Sequence, residues 1–461
     1  MKGALSMNDS WIDEELGRRL KIGGEGTPQL VRARVDETLA ALPTKRRVFR
    51  KVGYATIAAC VAFGGLIGVS VMNPDVARAV RSLPVIGSVF EMLGDDGIRQ
   101  SGEAGLSSRG NVTAEDQGIT MTITEVLYDG VRLSIGYVIE GGDDLRPERA
   151  EMYVNGKSVN FSSGERGNKV DEGVYAGLID YKTTEMLPDQ FILKLEYSRM
   201  EDWENKVDGN PKTTKGNWSF AIPVKKLTDG VYVHTFSGND APRIQSKDVT
   251  LTARKVTFSP ATTSVEVDMI EPTDIAEVPF HQNLFQLFDD RGVLFQFTGS
   301  TSHSQSNNGD KVRLTEYSLE FAPIGRIPEY LIIRPISDSF ETGKNEHTAP
   351  LNQQQLPITL SLGEAGKLTA SRIEFAADET KLYYDIEGDN PYEQAYNVWL
   401  EDDSGNKYKG MMPQLIEAEP GRYRFVMKLP QIDAQKRLTL STIETKAPEV
   451  DKQLELKIPI H

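Results

Sequence analysis

The histidines are the residues of this chain best suited to metal or acid–base chemistry, but their spacing forms no recognisable site. They are scattered along the sequence as His234, His281, His303, His347 and His461. This distribution fits neither a metal site nor a nucleophile–histidine pair. The sequence also lacks a G-x-S-x-G motif and a glycine-rich phosphate loop before a helix. We therefore expect a protein that is not an enzyme, with no catalytic residue, no cofactor and no metal.

Two acidic clusters are the second place where chemistry could reside. Residues 289–290 are both Asp, and residues 401–403 read Glu-Asp-Asp. Carboxylates in turns can bind calcium, but neither cluster has the alternating spacing and distal Glu of a calcium loop. Because Asp and Gly are also ordinary residues of hairpin turns, both clusters are predicted to be plain turns.

One apolar run, residues 52–72, contains no charged side chain. At about 1.5 Å per helical residue, it is long enough to cross a bilayer. A secretory signal peptide would lie at the very N-terminus, and a buried core helix this long is rarely free of charge. The run is preceded by a basic cluster of Lys45, Arg46, Arg47, Arg50 and Lys51. This cluster predicts a single-pass protein of the cell membrane with a cytoplasmic N-terminus and extracellular C-terminal domains.

The charge and cysteine content agree with an exported region. Residues 1–51 carry eleven basic and seven acidic side chains, or +4, so the formal charge of −15 leaves −19 for the rest of the chain. An acidic exterior argues against nucleic-acid binding. The single cysteine, Cys60, lies in the apolar run, so the exported part can form no disulfide of its own. This usage fits the outside of a Gram-positive bacterium better than a eukaryotic ectodomain.

The predicted cytoplasmic tail has the pattern of two amphipathic helices. Ser10 is a candidate cap for the first helix, and Thr27 with Pro28 opens the second. The apolar stripes are formed by Ile12, Leu16 and Leu20 in the first helix, and by Val31, Val35, Leu39 and Leu42 in the second. These stripes are predicted to bind a cytoplasmic partner, although they could instead lie on the membrane surface. Without His or Cys, the tail cannot be a zinc-stapled module.

The segments around the apolar run add two expectations. Gly64 and Gly68 permit close packing of two membrane helices, which makes a homodimer possible. After the run, residues 74–93 read as helical segments broken at Pro84, which should pack on the first outer domain or dip into the membrane interface. Residues 94–116 are rich in Gly, Ser and Asp and are predicted to be a loop or linker.

The rest of the chain is a divergent threefold repeat with the period-2 pattern of strands. Each unit has an opening strand (residues 121–128, 251–258 and 368–375), then a partner strand, a hairpin signal and a closing strand (residues 220–224, 330–336 and 456–460). The fold class is therefore mainly β, with three tandem immunoglobulin-like β-sandwiches at residues 117–227, 247–337 and 357–461. Linkers are expected near residues 228–246 and 337–356, and Trp203, Trp218 and Trp399 are interpreted as core or hairpin residues.

These features together resemble a known family. The helix VRARVDETLAALPTKRR before the membrane run, the segment NPDVARAVRSLPVIGSVFEML after it and the strands ITMTITEVLYDGVRLSIGYVIE resemble the DUF4179 membrane proteins of Firmicutes. The later repeats are similar to the companion DUF5643 domains. The resemblance implies an anti-sigma factor or negative effector of an extracytoplasmic-function sigma factor.

Two functions of different classes follow as hypotheses. The first is a membrane regulator whose tail binds a sigma factor while its outer domains sense the state of the envelope. The second is a membrane-anchored adhesion or envelope-scaffold protein without signalling, and an envelope-polymer binding protein is a weaker third. Deleting residues 1–42 should abolish function in the first case and leave it intact in the second.

Overall fold

The computed structural model describes residues 88–460, apart from residues 184, 273–283, 306–311, 338–341 and 411. These residues all belong to the second of two compact units, Asn73–His461. None of the helices that they form is both long and apolar enough to cross a bilayer. The apolar run at residues 52–72 and the tail before it lie outside the described residues, so the membrane span and the tail helices stay predictions.

Two short helices and ten antiparallel strands form the first part of the described chain. Helix α1 is Val89–Leu93, α2 is Asp96–Glu103, and the strands are β1 (Ser108–Asp116), β2 (Ile119–Tyr128), β3 (Leu133–Glu140), β4 (Leu145–Pro147), β5 (Glu151–Val154), β6 (Lys157–Ser158), β7 (Ser162–Asp171), β8 (Val174–Lys182), β9 (Gln190–Val207) and β10 (Asn210–Lys225). One sheet has the order β1-β2-β3-β8-β7, and the other has the order β10-β9-β5-β6 with β4 beside β9. Their facing apolar side chains share one core, which defines the first sandwich.

Sequence explains two local features of the first sandwich. Strand β3 is buried along almost its whole length rather than at alternate residues, because α1 and α2 cover the outer face of its sheet. The long β9–β10 hairpin turns at Asp208 and Gly209, whose φ angles are +52° and +81°. An Asp-Gly pair is favoured there because both turn residues need positive φ.

The second group of sheets follows directly. Its strands are β11 (Tyr232–Thr235), β12 (Arg243–Ser246), β13 (Val249–Phe258), β14 (Thr263–Pro272), β15 (Leu284–Asp289), β16 (Leu294–Phe295), β17 (Phe297–Gln305), β18 (Val312–Phe321) and β19 (Tyr330–Ser337). One sheet has the order β11-β13-β14-β18-β17, with β12 also beside β13, and the other contains β16-β15-β19. Their shared core defines the second sandwich.

A third core is built mainly from residues that follow β19. Its elements are β20 (Thr342–Leu351), β21 (Ile358–Ser361), β22 (Gly366–Phe375), β23 (Glu379–Gly388), α3 (Pro391–Tyr396), β24 (Val398–Asp402), β25 (Lys407–Tyr408), β26 (Gln414–Glu419), β27 (Arg422–Pro430) and β28 (Leu438–Thr445). The sheets are β20-β28-β24-β25 and β21-β22-β23-β27-β26. Together they define the third sandwich. Short 3₁₀ turns lie at Gly238–Asp240, Gln353–Gln355, Gly363–Ala365 and Lys452–Leu454.

The last two strands return to the second sandwich. Strand β29 (Glu449–Val450) and strand β30 (Leu456–Pro459) both pair antiparallel with β19. The sequence predicts residues 456–460 as the closing strand of the third sandwich, and this placement is wrong. Alternating apolar residues show that a strand has one buried face, but they do not show which sheet it joins.

The predicted repeat is confirmed at its opening strands and hairpins. In each sandwich the opening strand pairs with the next strand along the chain, as β2 with β3, β13 with β14 and β22 with β23. The three turn signals connect β5 to β6, β15 to β16 and β24 to β25. Three predicted loops are wrong, because residues 94–116 contain α2 and β1, residues 228–246 contain β11 and β12, and residues 337–356 contain β20. These elements are short or polar edge elements, which carry little apolar pattern.

Candidate functional site

Helices α1 and α2 pack on the outer face of the first sandwich. Val89, Phe90 and Ile98 are no more than 1% exposed. On this outer face they form a small separate core with side chains of β2, β3 and β8, namely Leu127, Val138, Ala176 and Leu178. Of the two alternatives predicted for residues 74–93, packing on the first outer domain is confirmed for the described part, α1.

The ends of α1 are satisfied by charged side chains of the sheet below. Ser88 Oγ donates to Glu125 Oε1 at 2.8 Å, and the N–H of Phe90 donates to Glu125 Oε2 at 3.0 Å. At the other end, Arg166 Nε donates to the carbonyl of Leu93 at 2.7 Å. A carboxylate at the N-terminus and a guanidinium at the C-terminus both complement the helix dipole. The first sandwich therefore fixes the direction of this helix.

Asp95 is the N-cap of α2 and the centre of a buried ionic group. Its Oδ1 accepts the N–H groups of Gly97 and Ile98 at 3.1 and 3.0 Å. Arg132 binds the same carboxylate with both terminal nitrogens, at 2.6 and 3.0 Å. Burial alone would raise the pKa of Asp95, but the charge and hydrogen bonds of Arg132 outweigh burial and lower this pKa to about 2. The pair is thus fully ionised although both side chains are buried.

Arg166 and Asp180 extend this group across the sheet. Arg166 Nη1 lies 2.8 Å from Asp180 Oδ2, and Arg166 Nη2 lies 3.8 Å from Asp95 Oδ2. Ser134 Oγ also donates to Asp180. We call Asp95, Asp129, Arg132, Arg166 and Asp180 the junction cluster. Its three carboxylates and two guanidinium groups carry a formal charge of −1, so most of its charge is internally paired.

The junction cluster also binds the second sandwich. Arg132 Nη2 donates to the carbonyl of Ala261 at 3.0 Å, and Ser259 Oγ donates to Asp129 Oδ2 at 2.7 Å. Beside them, Lys182 Nζ lies 2.7 Å from Glu320 Oε2. Burial raises the pKa of Glu320, against the lowering effect of Lys182. Two residues of the β13–β14 turn, Ser259 and Ala261, are thus held by the first sandwich.

Close backbone approach explains the glycine in the first turn of α2. A Cβ on Gly97 would lie 2.0 Å from the carbonyl oxygen of Ala261. A contact this short is not tolerated, so any larger residue must separate α2 from the second sandwich. Gly97 is therefore a packing requirement of this interface.

The third sandwich reaches the same helix. The backbone N–H of Leu415 is close enough to Asp96 to lower the pKa of its carboxyl, and Arg99 Nη2 lies 2.7 Å from Asp96 Oδ1. Burial raises the pKa of Asp96 more than Leu415 and Arg99 lower it. Tyr396 of α3 is also close enough to Arg166 for the charge of Arg166 to lower the pKa of Tyr396, against the larger effect of burial. The first and second sandwiches thus contact α2 or its ionic partners, and groups of the third lie near them.

A different kind of contact joins the second and third sandwiches. Val293 and Leu294, in and beside the β15–β16 hairpin, are buried in the core of the third sandwich. The N–H of Leu294 donates to the hydroxyl of Tyr423 at 2.7 Å, and the hydroxyl of Tyr392 donates to the carbonyl of Leu294 at 3.0 Å. The hairpin therefore enters the neighbouring core with its backbone groups satisfied.

An open cleft of about 700 Å³ lies between the first and second sandwiches. Its charged lining is already paired: Arg254 contacts Glu316 at 3.1 Å, and Lys255 contacts Glu266 at 2.8 Å. Its aromatic lining residues, such as Tyr128, are buried rather than exposed for stacking. The cleft thus offers neither a free charge cluster nor an aromatic platform.

The two acidic turns are plain turns whose carboxylates bind the chain's own cations. Asp289 Oδ2 lies 3.0 Å from Arg291 and 3.2 Å from Arg326. Asp402 Oδ2 accepts from Asn406 at 3.0 Å and from Lys436 at 2.6 Å. In the part of the chain that the structure describes, no group of three or more His, Cys, Asp or Glu side chains could hold a metal ion.

The other candidate residues from the sequence divide into described and undescribed ones. His234 and His303 lie on β11 and β17, at opposite edges of one sheet, and His347 lies on β20 of another sheet. Trp218 is fully buried in the first core, and Trp399 is 7% exposed. Trp203 is half-buried, with the Arg146 guanidinium 5.5 Å from its ring centroid. The tail stripes, the basic cluster, Gly64, Gly68, His281 and His461 lie outside the described residues.

Sequence reasoning missed the junction cluster. A signal was available in part, because Asp95 precedes a short helix as an N-cap residue does. Arg132 also interrupts an otherwise apolar strand start, which marks a charge that needs a buried partner. The pairing itself joins residues far apart in the chain, so no local pattern predicts it.

Comparison with known proteins supports the two resemblances. A solved structure described as the conserved domain protein from Bacillus anthracis is similar to this chain, with 19% sequence identity and a TM-score of 0.41. The similarity covers 56% of this chain and 85% of that one. No curated protein matches the chain. Residues 44–141 match the family model of the domain of unknown function DUF4179, and residues 241–362 match that of the family of unknown function DUF5643. The chain therefore contains a DUF4179 region followed by a DUF5643 region, as its sequence motifs predict.

Proposed function

We propose that this chain is a single-pass membrane regulator of the anti-sigma type. Its tail, residues 1–51, binds an extracytoplasmic-function sigma factor in the cytoplasm, and the apolar run crosses the membrane. Its three sandwiches, of immunoglobulin-like architecture, lie outside the cell and sense the state of the envelope. It works without a cofactor and does not bind nucleic acid.

One observation carries this proposal. Helix α2, which follows the apolar run in the chain, lies against the first two sandwiches and near the third. Asp95 binds the first sandwich through Arg132, Gly97 packs on Ala261 of the second, and Leu415 of the third is close enough to Asp96 to lower its pKa. A change in the arrangement of the sandwiches therefore has a direct path to the segment nearest the predicted membrane helix. A passive spacer has no need of such convergence.

The tail is tested by recovery of its partner. A tail that carries Val35→Asp and Leu39→Asp should no longer recover from cells the sigma factor that the unchanged tail recovers. Ala33→Asp with Ala40→Asp is the matched control, because it adds the same charge to the opposite face of the predicted helix. Equal recovery by both double variants contradicts the assignment of the stripe. Recovery of no sigma factor by the unchanged tail contradicts the regulator itself.

Signalling is tested by transcript profiling. Deletion of the gene should derepress a defined set of genes, and deletion of residues 1–42 alone should have the same effect. Gly97→Ala should change expression of that set while the tail is intact, whereas Gly164→Ala, whose Cβ meets nothing within 4 Å, should not. An unchanged transcript profile after complete deletion favours the adhesion or scaffold alternative.

A further inference from the structure

The second sandwich is completed by a segment that comes after the third sandwich in the sequence. Strand β30 pairs with β19 through four register pairs, from Tyr330 with Pro459 to Ile333 with Leu456. Side chains in and next to β30 lie in the core of the second sandwich. Leu454, Leu456, Ile458 and Ile460 are no more than 2% exposed. In the described residues β30 has no other strand partner. It can therefore leave without breaking another ladder.

Side chains from both sheets of the second sandwich hold this segment. Lys457 Nζ lies 3.5 Å from the ring centroid of Tyr330, and Arg334 Nη1 lies 3.5 Å from Glu455 Oε2. From the opposite sheet, Ser246 Oγ donates to Gln453 Oε1 at 3.0 Å, and the hydroxyl of Tyr232 donates to the carbonyl of Ile460 at 3.3 Å. The second sandwich thus contacts backbone, apolar and polar groups of the segment, as a strand-binding site does.

The order of the strands in the sequence makes this edge of β19 unlike the other sheet edges. Ser337, the last residue of β19, pairs with Glu449, the first residue of β29. The whole third sandwich lies between these two paired residues in the sequence. Strands such as β6, β16 and β25 are instead hairpin neighbours of the strand they join. The closing segment reaches the second sandwich only after the chain has formed another complete core.

We propose that the edge of β19 that pairs with β29 and β30 is a strand-binding site. In this structure, residues 449–460 of the same chain occupy it. Its ligand class is an extended peptide with Leu or Ile at every second position, the pattern of Leu456, Ile458 and Ile460. The occupant to which the site is matched is this segment, from the same chain or supplied separately. The third sandwich is joined to β19 by the covalent chain from β19 to β20 and, through β29 and β30, by strand pairing; removing the segment removes the second connection. The site follows from strand pairing alone and does not depend on the regulator proposal.

The test removes the segment and supplies it in trans. A shortened chain that ends at Pro448 but is otherwise complete is prepared in detergent. The peptide EVDKQLELKIPIH, residues 449–461, is then added to it. We expect the shortened chain to unfold at a midpoint roughly 10 °C or more below that of the full chain. The peptide should bind it and recover most of this shift, while the full chain, whose site is filled, should bind at least 100-fold more weakly.

A matched peptide and a locked variant complete the test. The peptide with Leu456→Asp and Ile458→Asp should bind the shortened chain at least 100-fold more weakly than the natural peptide. In a Cys60→Ser background, cysteines at the register partners Ile332 and Lys457 should form a disulfide that prevents labelled peptide from exchanging into the full chain. Reduction should restore slow exchange.

Three results would overturn the proposal. The first is a shortened chain with the full-length unfolding midpoint, because the segment would then stabilise nothing. The second is a folded shortened chain that binds the natural and the Asp-substituted peptides equally. The third covers a shortened chain that does not fold alone: if refolding with excess natural peptide gives no more folded protein than refolding with the substituted peptide, the edge is not a binding site.

Discussion

The two junctions between neighbouring sandwiches are built from opposite kinds of contact. The first and second sandwiches meet through the junction cluster, where Arg132 bridges Asp95 and the carbonyl of Ala261. The second and third meet through Val293 and Leu294, which lie inside the third core. Apolar burial is non-directional and tolerates small shifts, whereas a bidentate ion pair specifies one geometry. We infer that the apolar junction mainly adds strength, while the charged one mainly sets the position of α2.

Breaking the charged junction should have the largest effect. Arg132→Met leaves the Asp95 carboxylate buried without its main partner, which should cost about 3–5 kcal/mol of the unfolding free energy. Denaturation followed by the fluorescence of buried Trp218 measures this loss in the first sandwich. The control is Arg132→Met with Asp95→Asn, which keeps the cap but removes the stranded charge and should recover part of the loss. A double variant that is less stable than the single one would contradict this account.

Breaking the apolar junction should cost somewhat less. Leu294→Ala removes a side chain that is 6% exposed, which should lower the unfolding free energy of the third sandwich by about 2–4 kcal/mol through lost burial and a cavity. The loss should be the same in low and high salt, because it comes from apolar burial. Ile327→Ala, at a site 44% exposed, is the control and should have little effect. A strongly salt-dependent Leu294→Ala loss would remove the contrast between the junctions.

Acid should weaken the charged junction selectively. The pKa of Asp95 is about 2 in the folded chain against 3.8 as its ordinary value, so its contribution is fully present above pH 3.8 and is lost as the pH falls through about 2. The difference corresponds to about 2 kcal/mol. Asp96 and Glu320 have raised pKa values and act in the opposite direction.

The pH test therefore compares variants rather than absolute stabilities. Unfolding free energies between pH 4 and 2 should fall more steeply for the unchanged chain than for the Asp95→Asn, Arg132→Met double variant. Parallel pH profiles of the two proteins would show that Asp95 is not the group responsible.

An exposed ion pair should matter least. Lys157 Nζ lies 3.6 Å from Glu185 Oε2, and the Lys157 side chain is 80% exposed. Lys157→Met should therefore change the unfolding free energy by less than about 0.5 kcal/mol. A loss similar to that of Arg132→Met would mean that burial is not what separates the two kinds of ion pair.

Sequence patterns predicted the local parts of this fold and missed the long-range ones. Strand pairs such as β2–β3 follow from alternating apolar residues, and the hairpin from β5 to β6 follows from Asn155 and Gly156, residue types that accept positive φ. The placement of Leu456 and Ile458 could not be predicted, because the same pattern fits the edge of either neighbouring sandwich. The Asp95–Arg132 pair was missed for a related reason: each residue signals a need for a partner but does not identify it.

The return of β30 to β19 has a consequence for how the chain folds during synthesis. A ribosome makes residues 232–337 before it makes β30, so the second sandwich must wait for the whole third sandwich before its last strand arrives. In this interval the edge of β19 exposes unpaired backbone groups, which other strands can capture. Local contacts form before distant ones, so the first and third cores should be complete while the second is still open. The second sandwich is therefore the part of the chain whose strand edge stays exposed to aggregation for the longest time.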